Sequence, residues 1–424
     1  MNLLRKYLLL LIVALVLPLA ACEKSDEPQS EPLLESTEHT LICYFMGFDL
    51  NYYFFQNIDM IKAALRTLSL EDTTLQDKVR VVCIFQQGNR DKTALMELEF
   101  HKGVCESKDI QVYDLPERTE AETITYFLNE AIKHAPARTY GLVLGGHSRA
   151  WTPIDFSSSS ISQDRPHLQS PKTIADHQLW LRPEKHMMTR FFGDPPQTTD
   201  TYYSCIEIAD LARGLEATGV KFEYTIYDAC FMANVESLYE LRNTTKYAIG
   251  SVSEIMGAGF PYKRVIPHLL GTGGKSFDLD AVCRDYHEHY AVEVGYSGCA
   301  SLIDMRQMNA LAEAFKRVRS TGIVEGVTLS AFQCYDGLNK PLFLDLGDYV
   351  KLVAEDEAAE EAFMTQLSKT VISRYHTDKF YAGWGANKGF KPVYADQYFG
   401  LSTSYPSDFY RDEYYQTSWY KATE

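Results

Sequence analysis

Two apolar runs end on residues capable of nucleophilic chemistry. Residues 139–147, Thr-Tyr-Gly-Leu-Val-Leu-Gly-Gly-His, stop on an imidazole, and residues 222–230, Phe-Glu-Tyr-Thr-Ile-Tyr-Asp-Ala-Cys, stop on a thiol. Short apolar runs rich in β-branched and aromatic residues read as buried strands. In an open α/β sheet the carboxyl ends of parallel strands line the crevice where ligands bind. A thiolate attacks carbonyl carbon while an imidazole moves the proton, so His147 and Cys230 at two such ends form the minimum kit of a cysteine peptidase. Taken singly, each has a plainer reading: Cys230 as a small buried hydrophobe, His147 as a satisfied polar residue.

Asp228 lies two residues before Cys230. Alternation along a strand points both side chains the same way, about 7 Å apart. A carboxylate there can floor a pocket for Arg or Lys through a charge-assisted, bidentate pair. It can equally cap a following helix. The apolar spacing predicts that helix over residues 232–242, with its N-terminal end lowering the thiol pKa and offering N–H groups to an oxyanion. A rival lies in Gly146-His-Ser-Arg-Ala150, which matches a nucleophile elbow with Ala in the last place and would make Ser148 the nucleophile of a serine hydrolase. An elbow must turn straight into a helix, and Trp151-Thr-Pro-Ile carries no helical period. His287 and His289 are not a metal pair, because residues two apart on a helix do not share a face.

The surrounding elements must position these residues. Strand patterns at 39–46, 78–85, 139–147, 222–230 and 247–252 alternate with helical patterns at 54–68, 121–134 and 206–218. A hairpin-like stretch covers 93–113. This order predicts βαβ units with right-handed crossovers and a largely parallel sheet. Residues 152–200 hold a serine run and several prolines without a period, an irregular insertion of a length that is usually functional or disordered. Beyond 269, helical patterns at 279–294, 305–318 and 346–375 surround a short strand at 299–303, and the tail from Phe380 is rich in Tyr, Trp and Gly. The expected organisation is a signal peptide at 1–21, a tether at 22–38, an α/β core at 39–268 that includes the insertion, and an α+β extension at 269–424 packed on it.

The N-terminus reads as an export segment. Arg5 and Lys6 precede an apolar stretch too short to span a membrane comfortably, ending in Leu19-Ala-Ala-Cys22. This resembles a bacterial lipobox, which implies cleavage before Cys22, lipidation of its sulfur, and an exported protein anchored at the outer membrane or cell surface. The acidic, Pro-containing stretch that follows suits a solvated tether. With 41 basic and 57 acidic residues the net charge is −16, which argues against a nucleic-acid partner and suits attraction of cationic substrates. Nine cysteines without a CxxC pair argue against a zinc or redox motif, and few or no disulfides are expected.

A wider resemblance joins these residues. Tyr227-Asp-Ala-Cys-Phe-Met232, Glu236, Tyr239-Glu-Leu241, Tyr247-Ala-Ile-Gly-Ser251 and Gly257-Ala-Gly-Phe-Pro-Tyr262 resemble the clostripain family of cysteine peptidases. Leu142 to His147 with Trp151, Cys299 to Asp304, Gly400 to Pro406 and Tyr414 to Trp419 support the likeness. The resemblance implies a caspase-like α/β/α sandwich, a His147–Cys230 dyad, and Asp228 binding a basic P1 side chain of a protein or peptide substrate. It implies endopeptidase activity after Arg or Lys, calcium as a cofactor of some members, and activation by cleavage between the His and the Cys. The insertion carries Arg165, Lys172, Arg182, Lys185 and Arg190 as self-cleavage positions. One departure stands out. The family has Gly after the histidine, whereas this chain has Ser148, whose N–H takes over any substrate-binding role, followed by Arg149. A catalytically inactive surface lipoprotein that binds peptide or glycan is the alternative.

Overall fold

The strand patterns become a sheet because their residues are apolar on both faces. In β1 (Thr37–Met46), Leu41, Cys43 and Phe45 face one core, while Ile42, Tyr44 and Met46 face another, all buried. Double-sided burial is the signature of a strand in the middle of a parallel sheet. This computed structural model describes residues 36–47, 50–87, 92–114, 119–153, 206–271, 276–324, 326–404 and 410–424. The expected signal peptide, Cys22, nearly all of the tether, the five basic residues of the insertion and Cys205 lie outside the described residues.

Among the described residues nine strands form one sheet in the order β10-β8-β7-β6-β5-β1-β2-β3-β4. These are β2 (Val79–Gln87), β3 (Lys92–His101), β4 (Val104–Asp114), β5 (Ala137–Gly145), β6 (Phe222–Asp228), β7 (Thr245–Gly250), β8 (Ala300–Asp304) and β10 (Val371–Tyr375) with β1. The inner run β2-β1-β5-β6-β7 is parallel. The β3–β4 hairpin closes one side and β8 with β10 the other, both antiparallel. Two further short pairs, β9 (Phe343–Asp345) with β13 (Ser402–Ser404) and β11 (Lys379–Ala382) with β12 (Gly389–Pro392), come from the C-terminal part.

Helices cover both faces. Helices α1 (Asn51–Glu71), α5 (Tyr262–Leu269) and α6 (Leu279–His289) bury Phe54, Ile58, Val265 and Val282 against the Cys43 face. Helices α2 (Ala121–His134), α3 (Ile208–Glu216), α7 (Met308–Thr321) and α9 (Glu357–Thr370) bury Phe127, Leu215, Leu311 and Phe363 against the Tyr44 face. The result is the expected α/β/α sandwich, with the C-terminal part continuing the same sheet through β8 and β10.

The expected single helix over 346–375 is three elements: α8 (Leu346–Val353), α9 and β10. Asp345 accepts the N–H groups of Gly347 and Asp348 and starts α8, and Asp356 accepts Ala359 N–H and starts a new helix, α9. The β-branched pair Val371-Ile372 opens a strand that pairs with β8.

Gly145 ends β5 beneath the stacked rings of Phe45 and Phe54, 4.6 Å apart. A Cβ at this position would sit 2.7 Å from carbons of both rings. Gly145→Ala is expected to cost about 1–3 kcal/mol through overpacking. Urea titration checks this, with the midpoint falling at constant m; an unchanged midpoint would show that the rings give way freely.

Candidate active site

Strand register brings the two sequence motifs together. β5 and β6 are neighbours in parallel, with Gly145 opposite Asp228, and Gly146 N–H extends the ladder to Asp228 O at 3.3 Å. His147 and Cys230 therefore each lie two residues beyond a paired position, on strands about 4.8 Å apart. His147 is half-buried, while Asp228 and Cys230 are fully buried. Beside β5 the strand order reverses, since β1 leads outward to β2 on one side and receives β5 on the other. This is the carboxyl-edge location where open α/β sheets bind ligands.

The turn after Cys230 is built differently from the sequence expectation. The helix begins at Val235, not Met232. Phe231 N–H donates to Ser253 O at 3.1 Å and Ala233 N–H to Ser251 O at 2.9 Å. These two N–H groups are thus committed to the strand β7 exit and cannot serve an oxyanion. Phe231 itself is left-handed, at φ 59°, a conformation costing a bulky residue on the order of 1–3 kcal/mol. Its ring packs on Phe343 and Trp384, with centroids at 4.9 and 5.9 Å. Ile255 N–H donates to Cys230 Sγ at 3.2 Å, and the Cys230 thiol donates to Ile255 O at 3.8 Å.

Asp228 shares the face of Tyr224 and Ile226, towards α1, α5 and α6. Its Oδ2 accepts the Tyr262 hydroxyl at 2.6 Å. The capping role open to it in the sequence belongs instead to Asn234, whose side chain accepts Ser237 N–H at 3.0 Å.

The loop after β5 carries no helix through Pro153, so the strand–turn–helix of a nucleophile elbow is missing around Ser148. The Ser148 hydroxyl accepts Ala150 N–H at 3.0 Å and donates to Met232 Sδ at 3.1 Å, tying the two loops together. Ala150 is left-handed at φ 55°. The Arg149 guanidinium lies 5.9 Å from the centroid of the Trp384 ring. Trp384 is held in turn by Glu254, a buried carboxylate accepting Gly383 and Trp384 N–H at 2.5 and 2.8 Å.

A third segment completes the surroundings. Ser402 N–H donates to Ala233 O at 2.8 Å, Trp151 Nε1–H donates to Ser404 Oγ at 2.7 Å, and Glu236 accepts Thr403 Oγ1–H at 2.7 Å and Ser404 N–H at 2.9 Å. Glu254, Ile255, Trp384 and Ser402–Ser404 carry no sequence signal of this role. Their partners lie far along the chain, and no local period marks them. All seven described cysteines are free thiols. Among the described residues no group of three or more His, Cys, Asp or Glu is arranged to hold a metal ion, and no helix is long and apolar enough to cross a membrane.

With the geometry in hand, the relatives can be placed. The clostripain family model, of the C11 peptidases, matches residues 173–424. The chain belongs to the clostripain family of cysteine peptidases. It is similar to a secreted C11 cysteine protease from Bacteroides thetaiotaomicron, iotapain, at 27% identity and TM-score 0.75, over 92% of this chain and 100% of that one. It is similar in fold to a secreted C11 cysteine protease from the same organism in complex with an irreversible peptide inhibitor (22% identity, TM-score 0.71, 91% and 99% covered). The same holds for an inactive zymogen C11 protease from Parabacteroides distasonis (24%, 0.69, 92% and 99%). No curated protein sequence matches the chain. The sandwich described above is thus the caspase-like fold of these proteases.

Burial pushes the Glu236 carboxyl up to about 7 against four hydrogen bonds that pull it down. Its folded pKa is raised, so the unfolded chain ionises first as pH rises, and the stability it contributes at low pH is lost between about 4.5 and 7. The stability of wild type minus that of Glu236→Gln is expected to fall over this window by on the order of 3 kcal/mol. Urea titrations of both proteins across pH 4.5 to 7.5 measure it; a flat difference would mean Glu236 is ionised throughout.

Proposed function

We propose that this protein is an endopeptidase that cuts after Arg or Lys, with Cys230 as nucleophile, His147 as acid and base, and Asp228 as the P1-reading carboxylate. The observation that supports this reading is the β5–β6 register, which sets imidazole and thiol at equivalent positions past one sheet edge. Asp228 ends β6, and Cys230 lies two residues further on in the turn, buried in the core that Tyr224 and Ile226 face. The Cys230 thiolate attacks the scissile carbonyl carbon, and His147 protonates the departing amine, leaving a thioester. Water then attacks the thioester, His147 takes its proton, and the thiolate leaves with the acid product released. Backbone N–H groups near Ser148 serve the oxyanion in place of those engaged at Phe231 and Ala233. In this site Asp228 meets the substrate cation away from bulk water, where a charge-assisted pair is strongest.

Hydrolysis of fluorogenic peptides ending in Arg or Lys tests the assignment, with calcium and with a chelator. Cys230→Ala is expected to lose activity on the order of 10³-fold or more. Asp228→Asn is expected to lower kcat/KM for basic P1 on the order of 10²-fold. Activity indifferent to Cys230→Ala would remove the reading. N-terminal sequencing of the active enzyme tests self-cleavage in the insertion, since one uncut chain would exclude it.

Export with lipid attachment at Cys22 is the second part of the proposal, supported by the Leu19-Ala-Ala-Cys22 pattern. Labelling with a radioactive fatty acid in a bacterial host is expected to mark the wild-type protein and not Cys22→Ser. Equal labelling, or none, would overturn it.

A further inference from the structure

Glu236 is a buried carboxylate, 2% exposed, on which both loops of the site converge. Its Oε1 accepts from Thr403 Oγ1 and Ser404 N, and its Oε2 accepts Asn234 Nδ2–H at 2.6 Å. The orientation of Asn234 is fixed, because its oxygen receives Ser237 N–H at 3.0 Å and Ser237 Oγ–H at 3.1 Å as the cap of α4 (Val235–Glu240). The amide nitrogen must therefore face Glu236. Ser404 in turn accepts the indole N–H of Trp151, which belongs to the loop that begins at His147 and is bridged to Arg149. On the other flank, Ser402 N–H donates to Ala233 O in the turn that follows Cys230. A continuous path runs from the His147 loop through Trp151, Ser404, Glu236 and Asn234 to the Cys230 turn.

We propose that Glu236 is a positioning residue of the peptidase: through Ser404 and Asn234 it fixes the His147 loop relative to the Cys230 turn without touching substrate. The proposal rests on the dyad reading above. The need is for a carboxyl, because Ser404 N–H and Asn234 Nδ2–H each require an oxygen, and both carboxyl oxygens can accept. A glutamine here keeps an oxygen for Thr403 and Ser404 but turns its own NH₂ against that of Asn234. Rotating Asn234 to relieve this clash surrenders the cap of α4. Exchanging the two functional groups removes the conflict. In the double variant Asn234→Asp with Glu236→Gln, the aspartate accepts from both Ser237 N–H and the Gln amide, and the site keeps its single negative charge.

The experiment compares wild type, Glu236→Gln and the double variant in kcat and KM on an Arg- or Lys-terminated fluorogenic peptide. It also follows alkylation of Cys230 by iodoacetamide, read by mass spectrometry, and the melting temperature. Glu236→Gln is expected to lower kcat about tenfold or more while KM stays within about twofold, because misplacing a catalytic pair costs the chemical step. The alkylation rate falls with it, well below the melting transition. The double variant is expected to recover to within about threefold of wild type, and Trp151→Phe to be non-additive with Glu236→Gln. Unchanged kcat and alkylation in Glu236→Gln, a loss that follows the unfolded fraction alone, or failure of the folded double variant to recover would each overturn the proposal. If wild type proves inert on peptides, the dyad reading fails separately, and the alkylation rates of the same variants still decide the role of Glu236.

Discussion

The parallel pairing of β5 with β6 is the constraint on which the site depends. Once Gly145 stands opposite Asp228, period-two alternation leaves no freedom in which face Asp228 takes, and Cys230, in the turn beyond, is buried in the core of that face. A slip of one residue would turn Asp228 towards the α2–α3 side and Tyr227 towards Tyr262. Burial of Tyr224, Ile226 and Val143 on one face, and of Tyr227, Leu142 and Leu144 on the other, opposes that slip with core packing on both sides. The same double burial that makes β6 an ordinary parallel strand thus sets the direction of Asp228.

Beyond the sheet edge, regular structure ends and conformation must be held by other means. Ala150 and Phe231, one in each loop, adopt left-handed backbones without being glycine. Neither would persist alone. Phe231 is held because its N–H is taken by Ser253 and its ring is enclosed by Phe343 and Trp384. Ala150 is held by the Ser148 hydroxyl and by Trp151, anchored on Ser404. This gives the departure from the family's glycine a physical sense. Serine at 148 supplies a side-chain acceptor that shapes the loop, and a hydroxyl donor that reaches Met232. Conformational freedom is replaced by a local hydrogen bond.

What the sequence made legible follows the range of the interactions. The strands leading to His147 and Cys230 were readable because apolar runs are local signals, although pairing stops at Gly145 and Asp228, two residues before each, where the chains turn away from the sheet. So was the sandwich, from alternating periods. The start of α4 was not: Met232 and Ala233 continue an apolar pattern, but the carbonyls of Ser251 and Ser253 capture the nearby N–H groups before a helix can form. Thr403 and Ser404 reach Glu236 across 167 and 168 residues of chain. Such a contact leaves no trace in spacing. The continuous helical stretch expected over 346–375 failed for a related reason, since the Asp356 cap divides it and its last residues are drawn into β8 pairing.

Three buried carboxylates, Glu236, Glu254 and Asp345, do in this half of the molecule what apolar contacts do elsewhere. Glu254 takes the N–H groups of Gly383 and Trp384. Asp345 takes that of Phe399 and the hydroxyl of Tyr335, both at 2.8 Å, and burial drives its carboxyl, like that of Glu236, to about 7. Glu236 and Asp345 therefore sit near the balance between desolvation and hydrogen bonding, and add little to net stability at neutral pH. Apolar residues of the same volume would bury more cheaply. They would not orient anything, because dispersion is nearly indifferent to a rotation of the segment, whereas an acceptor facing two or three donors specifies one arrangement. The segment after 380 reaches the Cys230 turn with only short strands, β12 and β13 after the end of β11, to fix its register. Directional acceptors are the effective means of fixing it there, and they couple the order of the C-terminal chain to the geometry of the turn that holds Phe231 and Cys230.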